Sequence, residues 1–184
     1  MLTTGCDGSV TGNSGDALTS DEAQRLMHPF LLGFGGGFDP IGGAGEFSQT
    51  IDEVFGCGDG GGYEKRGGLT GTTNAESGTT VVSVDFRQAY FNCDALVDGE
   101  TLRLNGEPGV RARVRITAVD EVADYEFRIT GGVDFETSDG RSGHCAIDIN
   151  ADISVDLGVG GPPLVDIRGT ACRLPGSEVE LILP

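Results

Sequence analysis

Strict alternation of apolar and polar residues is the sequence feature that most constrains the fold of this chain. A period of two places successive side chains on opposite faces of a β-strand, whereas a helical face repeats about every 3.6 residues. The alternation runs through four segments, 81–91, 109–119, 124–130 and 145–157. Each segment therefore predicts a strand with one apolar face and one polar face.

Turn signals and short links indicate how these strands connect. The dipeptides typical of hairpin turns are Asp98-Gly99, Asn105-Gly106 and Asp139-Gly140. Shorter strands are predicted at 101–104, 164–171 and 178–183. The links are too short for crossover helices, so neighbouring strands must be antiparallel. We therefore predict an all-β fold, an antiparallel β-meander of seven to nine strands that forms a curved or barrel-like sheet.

A short N-terminal helix is predicted at 19–32 and is expected to pack on the sheet. Thr19 and Glu22 have the spacing of a capping box. The apolar residues of one helical face are Ala23, Leu26 and Phe30. Pro29 predicts that the regular helix ends near His28, because the residue before a proline disfavours helical geometry.

The remaining N-terminal segments differ in composition from the alternating region. Residues 1–18 are small and polar, which is typical of a flexible tether, and residues 31–46 form a glycine-rich loop. A second short helix or a strand is predicted at 47–55. The length of 184 residues fits a single β domain over 19–184.

The chain has five cysteines, an odd number. Four of them allow three pairings, and we favour Cys57 with Cys93 and Cys145 with Cys172, because neighbouring strands would bring those positions together. Cys172 falls on the polar parity of its strand whereas Cys145 falls on the apolar parity, so this pairing requires a bulge, or the pairing is different. The absence of a Cys-x-x-Cys motif argues against a zinc site.

Cys6 is left over and follows Leu2-Thr3-Thr4-Gly5. Two small residues before a cysteine suit the attachment box of an exported lipoprotein, so lipidation at Cys6 is predicted; the alternative is a free thiol in a flexible end. With two internal disulfides, this places the protein outside the cytoplasm, anchored to the outer membrane, in the periplasm or at the cell surface.

Three short motifs carry a resemblance. They are Cys-Gly-Asp-Gly-Gly at 57–61, Tyr-Phe-Asn-Cys at 90–93 and Leu-Arg-Leu-Asn-Gly at 102–106. Their order resembles a loose class of small exported Gram-negative (proteobacterial) lipoproteins of unknown function, over about 57–106. The resemblance implies an extracytoplasmic compartment and a β-meander, and it implies no catalytic residue.

The charge balance excludes one class of partner. The chain carries 12 basic and 29 acidic residues, a formal net charge of -17. A field of this sign repels phosphate backbones. Nucleic acid is therefore not an expected partner.

No catalytic residue, metal site or cofactor is predicted from the polar clusters. Ser142, His144 and Asp148 are the types of a catalytic triad, but no nucleophile-elbow sequence accompanies them. The glycines between Gly33 and Gly45 fit neither a dinucleotide nor a phosphate-loop motif.

An acidic stripe and an arginine stripe follow two of the predicted strands. They consist of Asp148, Asn150, Asp152 and Asp156 and of Arg111, Arg113 and Arg115. Alternate residues of a strand lie about 7 Å apart, too far to share one calcium ion, so we expect the two stripes to form cross-strand ion pairs. Weak calcium binding by Asp52, Glu53 and Asp59 stays open.

These observations predict an exported cell-envelope lipoprotein with a structural, adhesive or partner-binding role and no catalysis. Its partners would be the membrane, through lipid on Cys6, and an envelope protein or a second copy joined through open strand edges. The alternative is a carrier of an apolar ligand in a lipocalin-like or half-barrel cavity. The aromatic residues expected to line that cavity are Phe86, Tyr90, Tyr125 and Phe127.

Overall fold

The computed structural model describes residues 18–32, 45–58, 60–97, 100–156, 158 and 162–179. It contains one helix, α1 (Ser20–Leu32), followed by strands β1 (Gly45–Gly56), β2 (Gly62–Asn74), β3 (Thr79–Val97), β4 (Glu100–Val119), β5 (Val122–Thr137), β6 (Ser142–Asp156), β7 (Leu164–Ala171) and β8 (Leu174–Pro175), and by a single 3-10 turn (Gly176–Glu178). The predicted tether up to residue 17 and most of the glycine-rich loop, 33–44, lie outside the described residues.

The eight strands form one sheet in which each strand pairs antiparallel with the next strand of the chain. This confirms the all-β antiparallel meander. Among the described residues the pairing runs from β1 to β8 without a link between these two strands, so a barrel is not confirmed. The strand predicted at 178–183 is not formed where it is described, because Glu178 ends the 3-10 turn.

The alternate apolar residues predicted to share one face of each strand lie on the buried face of the sheet. In β6 every second residue from Cys145 to Ile153 is buried, whereas the residues between them are exposed. Side chains from β2 to β8 and three from α1 (Ala23, Leu26 and Met27) form one core cluster. We call the opposite side of the sheet, which carries the charged residues, the polar face.

Glycines bend the long central strands. Gly109 in β4 (φ +66°) and Gly131 in β5 (φ +123°) adopt backbone conformations that other residues rarely reach. A Cβ at Gly109 would overlap the carbonyl oxygen of Gln88, and one at Gly131 would overlap that of Gly109. The register between β4 and β5 shifts at this place, between Asn105 and Val110. The two glycines therefore allow the close backbone approach that this bulge requires.

The hairpin predicted at Asn105-Gly106 is wrong, because both residues lie inside β4. The Asn105 side chain instead accepts a hydrogen bond of 2.7 Å from the backbone N–H of Asn92, which has φ +46°. The dipeptide thus stabilises a bulge between β3 and β4. The turn at Asp139-Gly140 is confirmed between β5 and β6.

Two N-terminal strands were not distinguished by the sequence pattern. The segment 47–55, open between helix and strand, lies within β1, and β2 was not predicted at all. β2 contains four glycines, at 62, 67, 68 and 71, which disfavour an isolated strand. Its backbone pairs along its whole length with β1 on one side and with β3 on the other, which offsets that preference.

The helix α1 is present as predicted, but it continues through Pro29 to Leu32 rather than ending near His28. A proline within a helix removes one backbone hydrogen bond and crowds the carbonyl four residues earlier, at a cost of about 3 kcal/mol. Burial of Ala23, Leu26 and Met27 against the core supplies the compensating stabilisation.

A partly buried ion pair attaches the start of α1 to the β5–β6 turn. Thr19 and Glu22 form the predicted capping box, with the Thr19 N–H donating to Glu22 at 2.7 Å and the Glu22 N–H donating to the Thr19 hydroxyl at 3.2 Å. Arg141 donates from both terminal nitrogens to the two Glu22 oxygens at 3.0 and 2.5 Å. The hydrogen bond from Arg141, helped by those from Thr19, outweighs burial and lowers the pKa of Glu22 from 4.5 to about 2.

We expect Glu22→Gln to destabilise the protein and to remove part of its acid sensitivity. A carboxylate whose pKa is depressed by folding stabilises the folded state above pH 4.5, here by about 2–3 kcal/mol, and this stabilisation is lost as the pH falls from 4.5 towards 2. The difference in free energy of unfolding between wild type and E22Q, measured in urea, should therefore shrink over that interval. The exposed Glu76→Gln in the β2–β3 turn is the control. An E22Q difference that is constant from pH 7 to pH 2.5 would contradict the assignment.

Candidate functional site

Two disulfides join the strand ends, in the pairing that we favoured. Cys57, between β1 and β2, is bonded to Cys93 of β3, and Cys145 of β6 is bonded to Cys172 after β7. The Cα–Cα distances are 5.2 and 4.3 Å. Each disulfide joins a residue in a loop or turn to a residue within a strand, Cys57 to β3 and Cys172 to β6. A covalent link at these places fixes the register of the strands that it joins.

The conflict of parity at Cys172 is resolved by a tight turn. Ala171 pairs with Leu174, so Cys172 and Arg173 are the two residues of a hairpin loop. Both have positive φ, at +49° and +75°, as a type I′ turn requires. Strand alternation ends at Ala171, and Cys172 can therefore reach Cys145 without a bulge in β7.

The predicted lipidation residue, Cys6, lies outside the described residues, so lipidation stays a prediction. In the part of the chain that the structure describes, no helix is both long enough and apolar enough to cross a membrane.

The polar clusters considered from the sequence do not assemble into a catalytic or metal site among the described residues. His144 pairs through Nδ1 with Asp134 of β5 at 2.7 Å, and no hydrogen bond joins it to Ser142. Asp52 faces Arg66 at 3.4 Å, and Asp59 lies outside the described residues. No group of three or more His, Cys, Asp or Glu in the described segments is placed to hold a metal ion.

The expected pairing of the acidic stripe with the arginine stripe is wrong. β5 lies between β4 and β6, so the two stripes are not neighbours. Asp152 instead binds Arg168 of β7 at 2.5 Å, and Arg111 binds Asp85 of β3 at 2.6 and 2.8 Å. The hydrogen bond from Arg111 lowers the pKa of Asp85 below its ordinary value.

A cleft of about 740 Å³ crosses the polar face from β2 to β7. Its charged lining residues are Asp85, Arg113, Arg115, Glu126, Arg128, Asp152 and Arg168, and its neutral polar ones are Thr70, Ser83 and Asn150. Of the four arginines in this lining, Arg113 and Arg115 were expected from the sequence only as part of the arginine stripe. Arg128 and Arg168 were not predicted as part of this surface, because only the register between strands, and no spacing along the sequence, brings them beside Arg113 and Arg115.

Arginines face one another across the strands of the polar face. Arg66 is opposite Arg87, which is opposite Arg111, and Arg113 is opposite Arg128. Directly opposed like charges destabilise a sheet. Part of this cost is offset by carboxylates, since Arg66 pairs with Asp52 and Glu64, and Asp85 pairs with both Arg111 and Arg113. Among the described residues, Arg128, which is opposite Arg113, has no such ion pair.

The other candidate surface is the edge of the sheet at β1. This strand has 12 residues and pairs with β2 through an unbroken register from Gly45 to Gly56. Among the described residues its second side has no strand partner. Within the described segments, the backbone N–H and C=O groups on that side are therefore not used in strand pairing.

The aromatic residues expected to line a carrier cavity are divided between two environments. Phe86 and Tyr90 are buried in the core at 2% and 4% exposure, and Tyr125 and Phe127 stack on each other with ring centroids 6.1 Å apart. Of the four, only Phe127 contributes to the 740 Å³ cleft, which is otherwise lined mainly by polar-face residues. The apolar-ligand carrier stays a prediction that these contacts do not favour.

Comparison with known proteins finds no matching protein family, no similar curated protein and no similar solved structure. The resemblance to exported lipoproteins therefore remains a prediction from three short motifs.

We expect the double variant Cys145→Ala/Cys172→Ala to lower the free energy of unfolding by about 3–4 kcal/mol, because the bond closes a loop with a sequence separation of 27 residues. Urea denaturation measures the loss. The matched control is Cys6→Ala, which removes the cysteine that we place in the tether and should leave stability unchanged. Equal losses in the two variants, or a peptide map with Cys6 in a disulfide, would contradict the connectivity.

Proposed function

We propose that this protein is an exported, non-catalytic structural component of a cell envelope, tethered by lipid on Cys6, which assembles with a second copy of itself through β1. Two disulfides are compatible with an oxidising compartment outside the cytoplasm. The observation that carries the assembly is that, among the described residues, the outer side of the long strand β1 pairs with no other strand.

β1 lacks several of the features by which edge strands are usually protected, although it carries three acidic residues, one of which, Glu53, lies on its apolar face. Natural edges are commonly short, bulged, or marked by lysine or proline. β1 has the sequence GEFSQTIDEVFG, which contains neither residue, and its pairing with β2 has no register shift. An extended edge of this kind is a template for β-strand addition.

The sequence of β1 is complementary to itself in one antiparallel register. A two-fold axis perpendicular to the sheet keeps the apolar face on one side, so residues of equal parity must pair. With the axis at Ile51, Ile51 meets its own copy and Phe47 meets Phe55 of the second copy. Phe47, Ile51 and Phe55 are alternate residues of the strand and point to the same face of the sheet. On that face Phe47 and Ile51 pack against the core cluster. The apolar row would thus continue from one copy into the next.

The charges of β1 are compatible with the same register. Gln49 would face Glu53, and on the polar side Thr50 would face Asp52. No acidic residue of β1 then lies directly opposite another, and opposed like charges are the cross-strand arrangement that disfavours pairing.

The net charge of -17 opposes association of two free molecules. Tethering on one membrane raises the effective concentration of each copy for the other, which offsets this repulsion without any new contact. Salt also screens it, since the Debye length shortens to about 8 Å at 0.15 M ionic strength. Self-association is therefore expected to increase with salt and with membrane attachment.

Two substitutions of equal charge on the same face of β1 should have opposite effects. Ile51→Lys places two cations against each other at the two-fold axis and should abolish the dimer. Gln49→Lys places each cation opposite Glu53 of the other copy and should strengthen it. Sedimentation equilibrium in 0.5 M salt, from micromolar to millimolar protein, measures the dissociation constants. A wild type that stays monomeric throughout, or two variants that associate equally, would contradict the proposed assembly.

Lipid attachment is tested separately in the native envelope. We expect the N-terminal peptide to carry an acyl mass on Cys6, and Cys6→Ala to move the protein from the membrane fraction to the soluble fraction. The circular dichroism spectrum of the variant should be unchanged, which separates loss of the anchor from misfolding. An unmodified Cys6 in membrane-bound protein would contradict the anchor and leave the β1 assembly untouched.

A further inference from the structure

The cleft on the polar face contains more guanidinium groups than its carboxylates neutralise. Asp85 is held by Arg111, which lies outside the cleft lining, at 2.6 and 2.8 Å, and Arg113 reaches the same carboxylate only at 3.3 Å. Asp152 is held by Arg168 at 2.5 Å. Two of the acidic residues of the cleft are thus already occupied by other arginines.

Arg115 and Arg128 have no ion pair or hydrogen bond in the described part of the molecule. Both side chains are exposed. Their register neighbours are Ser83 and Glu126 for Arg115, and Arg113 and Asn150 for Arg128. Although Glu126 is opposite Arg115, no nitrogen–oxygen contact within 4.0 Å joins the two side chains.

The three arginines at the centre of the cleft form a compact triangle. Arg113 and Arg128 are directly opposite on β4 and β5, so their Cβ atoms lie about 5 Å apart. Arg115 is two residues along β4 from Arg113, a spacing of about 7 Å. Long arginine side chains at such positions can direct several N–H donors at a single group, and arginine donors match the geometry of carboxylate, sulfate and phosphate oxygens.

We propose that this cleft binds an anionic oxygen group, a carboxylate, sulfate or phosphate, between Arg113, Arg115 and Arg128, either as a free anion or on an acidic sugar. The site is separate from the β1 edge, and the proposal does not depend on the assembly. A bound anion would remove the like-charge opposition of Arg113 and Arg128, which otherwise only weakens the sheet.

The neutral and acidic groups around the triangle favour the sugar. Ser83 and Asn150 can donate and accept hydrogen bonds, and Glu126 can accept them from hydroxyl groups. The cleft therefore suits one charged group flanked by hydroxyls, as in a uronate or a sulfated sugar, and its extent across six strands suits a short chain of such units.

The net negative charge of the protein does not exclude this site. At physiological ionic strength exposed charges farther apart than about 8 Å are largely screened, so an anion in the cleft mainly experiences the nearest arginines. The global charge would slow the approach of a highly charged polymer and select against nucleic acid.

Calorimetric titration of the folded, disulfide-bonded protein with sodium sulfate, oligogalacturonate and a neutral maltooligosaccharide of equal length tests the proposal. We expect the uronate chain to bind, the neutral chain not to bind, and the variant Arg115→Gln/Arg128→Gln to lose at least about tenfold in affinity, equivalent to about 1.4 kcal/mol. The matched control Arg87→Gln/Arg173→Gln has the same net charge change at positions outside the cleft and should bind as the wild type does.

Each outcome decides a different part of the proposal. Sulfate binding as tightly as oligogalacturonate, with the same loss in R115Q/R128Q, would show an anion site without a sugar subsite. Binding that falls equally in both double variants would reduce the effect to overall charge and overturn the proposal, as would no binding of either anion.

Thermal unfolding without ligand separates a ligand site from a structural one. Because Arg113 and Arg128 oppose each other, R115Q/R128Q should unfold at the same temperature as the wild type or a higher one. Addition of the uronate chain should then raise the unfolding temperature of the wild type and of the R87Q/R173Q control, but not that of R115Q/R128Q. A lower unfolding temperature for ligand-free R115Q/R128Q than for the wild type would assign these arginines a structural role instead.

Discussion

Backbone hydrogen bonding between strands that are consecutive in the chain is the interaction on which the rest of this structure depends. Because each strand pairs with the next, one register after another is set from β1 to β8. A slip of one residue would turn every side chain of a strand to the other face. The buried row of β6 from Cys145 to Ile153 and the arginines of the polar face are therefore two consequences of the same pairing.

Covalent and ionic links hold this sheet at the places where pairing is least constrained. The two disulfides join the β1–β2 loop to β3 and β6 to the β7–β8 turn, near opposite edges of the sheet. The Glu22–Arg141 pair attaches α1 to the β5–β6 turn. A meander with one helix has few contacts between elements distant in sequence, and the Glu22–Arg141 pair, 119 residues apart, is one of them.

The sequence predicted the parts of the fold that depend on local periodicity. Alternation identified the strands from β3 to β6 and their buried faces, and turn chemistry identified Asp139-Gly140. Prediction from the sequence failed where pairing with neighbouring strands, rather than local sequence, determines the backbone conformation. β2 is stabilised from both sides despite its glycines, and Asn105-Gly106 serves a bulge rather than a hairpin.

The candidate sites show the same division. The disulfide pairing followed from strand adjacency, but its geometry needed the two-residue turn at Cys172. The cleft could not be predicted, because no spacing within one strand shows that Arg113 is opposite Arg128. The Arg113–Arg128 opposition on the polar face and the outer side of β1 are both features whose cost a partner would offset, which is why we propose binding roles for them.

The central claim is that β1 is an open edge in the single molecule and a covered one in the assembly. Amide hydrogen exchange of β1, followed residue by residue by NMR at low and high protein concentration, tests it most directly. At low concentration we expect protected amides, those bonded to β2, to alternate along β1 with rapidly exchanging ones. At high concentration the rapidly exchanging set should become protected, centred on Ile51. Uniform protection at low concentration would mean that the chain itself covers the edge, and unchanged exchange at high concentration would mean that β1 does not pair.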